Sequence, residues 1–220
     1  MTFFVVDVEA DGPAPGLFSM VSFGVVRVDE GLRTSFRGEV RPISLRWDPE
    51  ALAVSGVLRE EHEAYPNPEL VMRRFRDWLL EAAGGQKPVF VSDNPAFDWQ
   101  FMNYYLHAFT PDNPFGHSAR RIGDIYGGIM EDLHAGRKWR ERIRTKATHD
   151  PVVDATGNAE AFLSLIQEYD LLNQNQHSPA HLRLARIAGF SGDELGVDGT
   201  SPLAQRLLAF ATLVRQAARP

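Results

Sequence analysis

The sequence lacks cysteine, a long apolar run and an excess of positive charge. Without cysteine the chain cannot form disulfide bonds, bind metals through thiolates or use a cysteine nucleophile. Without an apolar run of about 20 residues, no membrane-spanning helix and no membrane partner are expected. The chain turns acidic at Asp7, which is too early for a secretory signal peptide, so we expect a cytoplasmic protein.

The 220-residue chain has a formal net charge of −6. Proteins that grip long duplex DNA do so through many lysine and arginine contacts to phosphate. The charge therefore argues against a bulk grip on long duplexes, and it leaves open a short or single-stranded substrate in a locally basic cleft. The length and the ordinary hydrophobic fraction of 44% predict a soluble chain with a full core.

Hydrophobic patterning predicts an α/β fold in which helices flank a mixed five-stranded sheet. Three strands joined by short links favour an antiparallel meander over residues 3–8, 20–28 and 34–41. Two further strands, at 87–92 and 119–122, alternate with helices. A cap followed by proline begins helices at Asn67-Pro68, Asn94-Pro95 and Asp150-Pro151, and another helix begins near Asp124. Residues 42–66 show no clear period and are expected to form loops and a short helix.

The pattern changes at His177, which predicts a domain over residues 1–176 and a helical extension over 177–220. Two further cap-plus-proline starts, Ser178-Pro179 and Ser201-Pro202, predict two helices in the extension. The second helix carries an amphipathic stripe, so it is expected to pack on the domain or on a second subunit in a homodimer.

Asp7 and Glu9 are the first candidate site residues, because they lie two apart on a predicted strand. Side chains at that spacing project from the same face, roughly 6 to 7 Å apart. The spacing suits carboxylates that share two cations roughly 3.5 to 4 Å apart. The alternative is an acidic pair that meets solvent as the chain turns at Gly12.

Asp98 and Asp154 share one local pattern, since each follows a cap-plus-proline helix start by the same interval. Each is therefore expected about one turn inside a helix, near the positive end of the helix dipole. That position favours the ionised carboxylate that a hard cation needs. The alternative is the general preference for acidic residues in the first turn of a helix.

His149 precedes the last core helix, five residues before Asp154. From a loop at that point an imidazole could reach an attacking water and take its proton, because histidines exchange protons near neutral pH. The alternative is a surface or packing histidine, which is how we interpret the other six histidines of the chain.

Taken in order, these motifs resemble the DEDDh group of 3′–5′ exonucleases, which includes RNase T, oligoribonuclease and the proofreading subunit of bacterial DNA polymerase. The resemblance covers about residues 3–170 and implies an RNase H-like fold with two Mg²⁺ or Mn²⁺ ions. It implies that Asp7, Glu9, Asp98 and Asp154 are the metal ligands and that His149 is the general base. One departure is Asp11 before Gly12, where the group usually has threonine or serine, and it puts the sugar preference in doubt.

Six residues are candidates for substrate contacts. The basic stretch from Arg137 to Lys146 could grip phosphates or form a solvated helix face, and both interpretations stay open. Trp139 could stack on a base, and Arg140 and Arg144 could bind phosphates. Phe18 and Met20 could wedge against the terminal bases, or they could equally pack in the core or a loop. Asn94 is the sixth candidate.

The sequence thus predicts a metal-dependent 3′–5′ exonuclease that releases nucleoside 5′-monophosphates from single-stranded nucleic acid with a free 3′ end, and short RNA is favoured. A DNA exonuclease or proofreading factor is the nearest alternative. A non-catalytic nucleic-acid-binding protein on the same fold is a second. A phosphatase with an aspartate nucleophile is a third, although that chemistry commonly needs aspartate where Glu9 stands.

Overall fold

A computed structural model describes residues 1–169 and 171–172 of the chain. The chain divides into two compact units, Met1–Leu165 and Ile166–Pro220, and the sheet and the candidate site lie in the first. The predicted extension over 177–220 and the homodimer interface assigned to it lie outside the described residues. No helix in the described part of the chain is long and apolar enough to cross a membrane.

The sheet has five strands in the order β3-β2-β1-β4-β5. Strands β1, β2 and β3 form the predicted antiparallel meander, and β4 and β5 add parallel to β1. This confirms the predicted mixed sheet. The strand bounds are β1 Thr2–Ala10, β2 Met20–Arg27, β3 Ser35–Glu39, β4 Pro88–Ser92 and β5 Ala119–Arg121.

The three helices predicted from cap-plus-proline sequences begin at Pro68, Pro95 and Pro151, which confirms their start positions. Residues 42–66 contain two short helices where one was expected. The predicted helix near Asp124 begins at Ile122, directly after β5. The helices are α1 Pro49–Val54, α2 Arg59–Ala64, α3 Pro68–Ala83, α4 Pro95–Phe109, α5 Ile122–Met130 and α6 Pro151–Glu168, and two 3₁₀ turns cover Leu133–Ala135 and Lys138–Arg142.

The two faces of β1 serve different purposes. Phe4, Val6 and Val8 belong to the main buried cluster, which they share with α3 and α4. On the opposite face, the ring of Phe3 packs edge-on against Phe162 of α6, with 5.5 Å between ring centroids. Because side chains alternate along a strand, the acidic pair of β1 shares this second face with Phe3.

Gly24 lets the start of α6 approach the sheet. It lies opposite Asp7 in the β1–β2 ladder. A Cβ atom added at Gly24 would lie 2.1 Å from the carbonyl oxygen of Pro151, so any other residue would collide with the helix backbone. Residues opposite each other in a ladder point to the same face, and the first turn of α6 is therefore held beside Asp7.

Candidate active site

Strand β1 extends beyond the end of its parallel neighbour β4, and this leaves space for the candidate site. The β1–β4 ladder pairs Thr2 through Val5, whereas β1 continues to Ala10. Beyond the ladder, the backbone N–H of Val8 donates to Oδ1 of Asp98 over 3.2 Å. The Asp98 carboxylate thus occupies the place of a missing strand and lies beside the segment that carries Asp7 and Glu9.

Asp98 sits in the first turn of α4, as predicted, and only 5% of the residue is exposed. Its own backbone N–H donates to the carbonyl oxygen of Asn94. The side chain of Asn94 makes no capping hydrogen bond to α4, which corrects the expectation that it caps the helix. It lines the cleft beside Asp98 instead.

Asp154 joins the start of α6 to the loop before it. One carboxylate oxygen accepts from the backbone N–H of Thr148 over 2.8 Å, and the other accepts from that of His149 over 3.1 Å. Asp150 caps the helix by accepting from the N–H groups of Val152 and Val153, as predicted. Asp154 therefore fixes the backbone at His149 and also faces the acidic cluster.

The backbone at His149 has a φ of 61°, a left-handed conformation that is uncommon for a residue other than glycine. Its imidazole is 62% exposed, and Nδ1 lies 3.7 Å from Oε1 of Glu9. The turn aims an exposed imidazole at the acidic pair. Uncommon backbone conformations of this kind cluster at functional sites.

Burial and mutual repulsion act on the carboxylates together. Burial raises the pKa of Asp7 well above its usual range, and the charges of Asp98, Glu9 and Asp154 raise it further. Burial, with the charge of Asp154, raises the pKa of Glu9 to about 7. Burial likewise raises the pKa of Asp98 to about 7, although the hydrogen bond from Val8 opposes that shift. Without a compensating positive charge, Asp7, Glu9 and Asp98 therefore hold their protons more tightly than free carboxyl groups do.

The donor set fits hard divalent cations. Mg²⁺ and Mn²⁺ prefer carboxylate oxygens, and a divalent charge would relieve the repulsion that raises these pKa values. Ligand atoms of Glu9, His149 and Asp154 lie within 4.8 Å of one another, close enough for one cation. The arrangement thus forms an acidic site that can hold metal.

A cleft of about 390 Å³ opens beside the cluster. Among the described residues, Arg140 is the basic side chain that lines it, and its guanidinium forms an ion pair with the carboxylate of Asp93. The cleft is bounded by Asp7, Val8, Asp93, Asn94, Phe97, Asp98, Arg140, Ile143, Thr145, Ala147, Asp154, Gly157 and Asn158.

Three predicted substrate contacts are corrected by their burial. Met20 and Trp139 are fully buried, so neither side chain offers a face to a base. Phe18 packs under Arg46, whose guanidinium carbon lies 4.9 Å from the ring centroid. Arg144 is exposed but is not among the residues that line the cleft. Phe18, Met20 and Trp139 are thus buried residues that pack within the protein.

Two features of the site were missed in the sequence. The ion pair between Asp93 and Arg140 joins residues 47 positions apart. Arg37 of β3 donates to Asp150 over 2.6 Å and so braces the start of α6 across the sheet. Neither contact leaves a local pattern in the sequence.

Asp11, the residue that departs from the family pattern, is fully buried and paired with Arg59 at 3.1 Å. It also accepts from the backbone N–H of Ser19 over 2.5 Å. Its carboxylate therefore ties the loop after β1 together, and it does not face the cleft.

No protein-family model matches the sequence. The chain is 36% identical over 172 residues to the 3′–5′ DNA exonuclease Cap18 of Escherichia coli, in a match that covers 73% of this chain and 89% of the relative. The cell-death related nuclease CRN-4 has the same fold, with a TM-score of 0.60 and 16% identity over 76% of this chain. Exonuclease I of Escherichia coli, solved with a dT13 oligonucleotide, gives a TM-score of 0.59 and 16% identity over 84% of this chain. The chain spans 64% of the first structure and 45% of the second, less than two thirds of each.

Proposed function

Because the chain belongs to the DEDDh family of 3′–5′ exonucleases, with its RNase H-like fold, we propose that it degrades single-stranded DNA from the 3′ end with two divalent cations. The observation that carries the proposal is the convergence of four carboxylates, three of which line the cleft: Asp7, Asp98 and Asp154. The imidazole of His149 lies 3.7 Å from the fourth, Glu9. The expected product is a nucleoside 5′-monophosphate.

The proposal favours DNA, whereas the sequence alone favoured short RNA. The Escherichia coli relative, at 36% identity, is named a DNA exonuclease. The preference for RNA rested on the resemblance to oligoribonuclease and RNase T and on the low overall basicity. Low basicity fits short single-stranded DNA equally well. Asp11 gives no reason to prefer RNA, because its carboxylate is buried.

Asp7, Glu9, Asp98 and Asp154 would hold the cations. When bound, two divalent cations supply Lewis acidity toward the attacked phosphodiester and charge stabilisation for the leaving oxygen. The four carboxylates are placed by β1 and by the first turns of α4 and α6. Mg²⁺ and Mn²⁺ both fit this oxygen-rich set, and we propose Mg²⁺ or Mn²⁺ for both positions.

His149 would accept the proton of the attacking water. Its exposed imidazole can turn toward the reacting phosphate, and the hydrogen bond from its backbone to Asp154 keeps it beside the ligands. A positioned general base contributes about 10²–10⁴-fold to a rate. Arg140, which lines the cleft, would bind a phosphate of the strand through its planar set of donors.

The test is digestion of two 5′-labelled oligonucleotides of one sequence, one DNA and one RNA, with Mg²⁺ or Mn²⁺. We expect a ladder that shortens from the 3′ end, faster on DNA, and about 10²–10⁴-fold slower with His149→Ala. His107→Ala, which alters an exposed histidine of α4, is the matched control and should leave the rate unchanged. Faster digestion of RNA would overturn the proposed substrate, and no digestion of either strand would overturn the activity.

A further inference from the structure

Asp93 is a fifth carboxylate at the site, and the proposed ligand set does not use it. It follows β4 directly and lines the same cleft as Asp7 and Asp98. Its charge adds to the repulsion that raises the pKa of both of those residues. A carboxylate here disfavours the ionised ligand set and repels the phosphates of a strand, so its presence at the cleft needs a compensating role.

The ion pair between Asp93 and Arg140 gives Asp93 a role that can compensate for this repulsion. Arg140 Nη2 donates to Oδ2 of Asp93, and the two side chains are 47% and 27% exposed. The carbonyl oxygen of Asp93 accepts from Nε of Arg121 over 3.0 Å, which fixes the bend between β4 and α4. Trp139, the neighbour of Arg140, is fully buried and anchors the 3₁₀ turn. These contacts fix the backbone of both partners beside the cleft.

We infer that Asp93 is a positioning residue that holds Arg140 at the cleft and limits how tightly Arg140 binds the phosphates of substrate and product. The inference rests on the proposed function, because it requires a phosphate-bearing strand in this cleft. A phosphate that approaches Arg140 competes with Asp93 for the guanidinium donors, and it meets the negative charge of Asp93. Asp93 therefore lowers the affinity of the cleft for the released mononucleotide as well as for the strand.

The inference predicts opposite effects from the two partners of one ion pair. Arg140→Gln should raise the KM for single-stranded DNA about tenfold, because a charge-assisted phosphate contact is lost. Asp93→Asn should lower that KM about threefold and lower the inhibition constant of the deoxynucleoside 5′-monophosphate by a similar factor. The dependence of log KM on log salt should become shallower in Arg140→Gln and should stay at the parent slope or steepen in Asp93→Asn.

Binding measured apart from turnover keeps this test separate from the proposed function. Fluorescence anisotropy of a labelled single-stranded DNA, with Ca²⁺ in place of Mg²⁺, reads affinity even from an inactive preparation. Asp93→Glu retains the charge and should restore the parent affinity. Asp112→Asn is the matched control, since it breaks the exposed ion pair with Arg76 and neither residue lines the cleft. Its affinity should equal that of the parent.

Two outcomes would overturn the inference. Equal weakening of binding by Asp93→Asn and Arg140→Gln would make the ion pair a purely structural contact. If Asp93→Asn retained its thermal stability and bound single-stranded DNA with the parent affinity, Asp93 would have no influence on phosphate binding. Absence of digestion together with opposite shifts in affinity would instead refute the proposed activity and leave the role of Asp93 in place.

Discussion

The backbone N–H of Val8 donates to the carboxylate of Asp98 over 3.2 Å, and this bond connects the central strand to the first turn of α4. It occupies the edge of β1 where β4 has already ended. The bond accounts for a carboxylate that is buried and still close to Asp7 and Glu9. The same contact suggests a variant that separates the fold from the metal site.

Asp98→Asn should keep the fold and lose the cation site. An asparagine side-chain oxygen can still accept from Val8, and removal of a buried charge relieves the repulsion on Asp7. We expect an unfolding temperature at least equal to that of the metal-free parent, no further rise on addition of Mg²⁺, and loss of digestion. Thermal unfolding with and without Mg²⁺ checks this. Asp124→Asn, at an exposed carboxylate, should behave as the parent does.

The stability of the metal-free protein should fall as pH rises. Glu9 and Asp98 have a pKa of about 7 in the folded protein, above their usual values of 4.5 and 3.8, so the folded state binds their protons more tightly than the unfolded state does. Their stabilising contribution is present at low pH, and it is lost as pH rises from about 4 to about 7.

Bound Mg²⁺ should oppose that loss, since it compensates the ionised carboxylates. The rise in unfolding temperature caused by Mg²⁺ should therefore be larger at pH 8 than at pH 6. Equal rises at the two pH values, or a smaller rise at pH 8, would contradict the assignment of Glu9 and Asp98 as ligands.

Gly24→Ala should disturb both stability and activity. The added Cβ would collide with the backbone of Pro151, and the displaced α6 would carry Asp154 and His149 away from β1. Overpacking of this kind costs about 1–3 kcal/mol, and we expect digestion to slow by more than the unfolded fraction explains. Denaturant unfolding and digestion rates check this.

Gly128→Ala is the matched control for Gly24→Ala. Gly128 lies in α5, and an added Cβ meets nothing within 4 Å. The substitution should leave activity unchanged and should stabilise the protein by up to about 1 kcal/mol. Equal losses of stability and of digestion rate in the two glycine variants would show that the close approach of α6 to Gly24 contributes to neither.

Arg59→Gln should destabilise the fold strongly. It leaves the fully buried carboxylate of Asp11 without its ion-pair partner, and such a loss costs about 3–5 kcal/mol. Arg73→Gln breaks an exposed pair with Glu69 and should cost about 0–1 kcal/mol. Urea unfolding of both variants compares them, and a small loss in Arg59→Gln would refute the structural role of Asp11.

Local sequence patterns were enough to predict which elements carry the four acidic residues, whereas their grouping as metal ligands came from the family resemblance. Alternation along β1 put Asp7 and Glu9 on one face, and the cap-plus-proline starts put Asp98 and Asp154 in first turns. These features depend on neighbours within a few residues, so they can be read from the sequence.

The substrate side of the site could not be read in the same way. Trp139 lies within a basic stretch, which suggested an exposed stacking platform, yet tertiary packing buries it fully. Arg140 lines the cleft and its contact with substrate stays a prediction, and its partner Asp93 is distant in sequence. Burial and long-range pairing depend on the whole fold, and neither has a local periodic signal.

The most direct test of the central claim is to identify the first product released from a 5′-labelled single-stranded DNA in Mg²⁺, with the parent protein and with Asp7→Asn. Mass analysis should find deoxynucleoside 5′-monophosphates from the parent and almost none from the variant, because Asp7 lies at the centre of the acidic cluster. Release of inorganic phosphate or of 3′-monophosphates by the parent, or equal release of 5′-monophosphates by both proteins, would contradict the account.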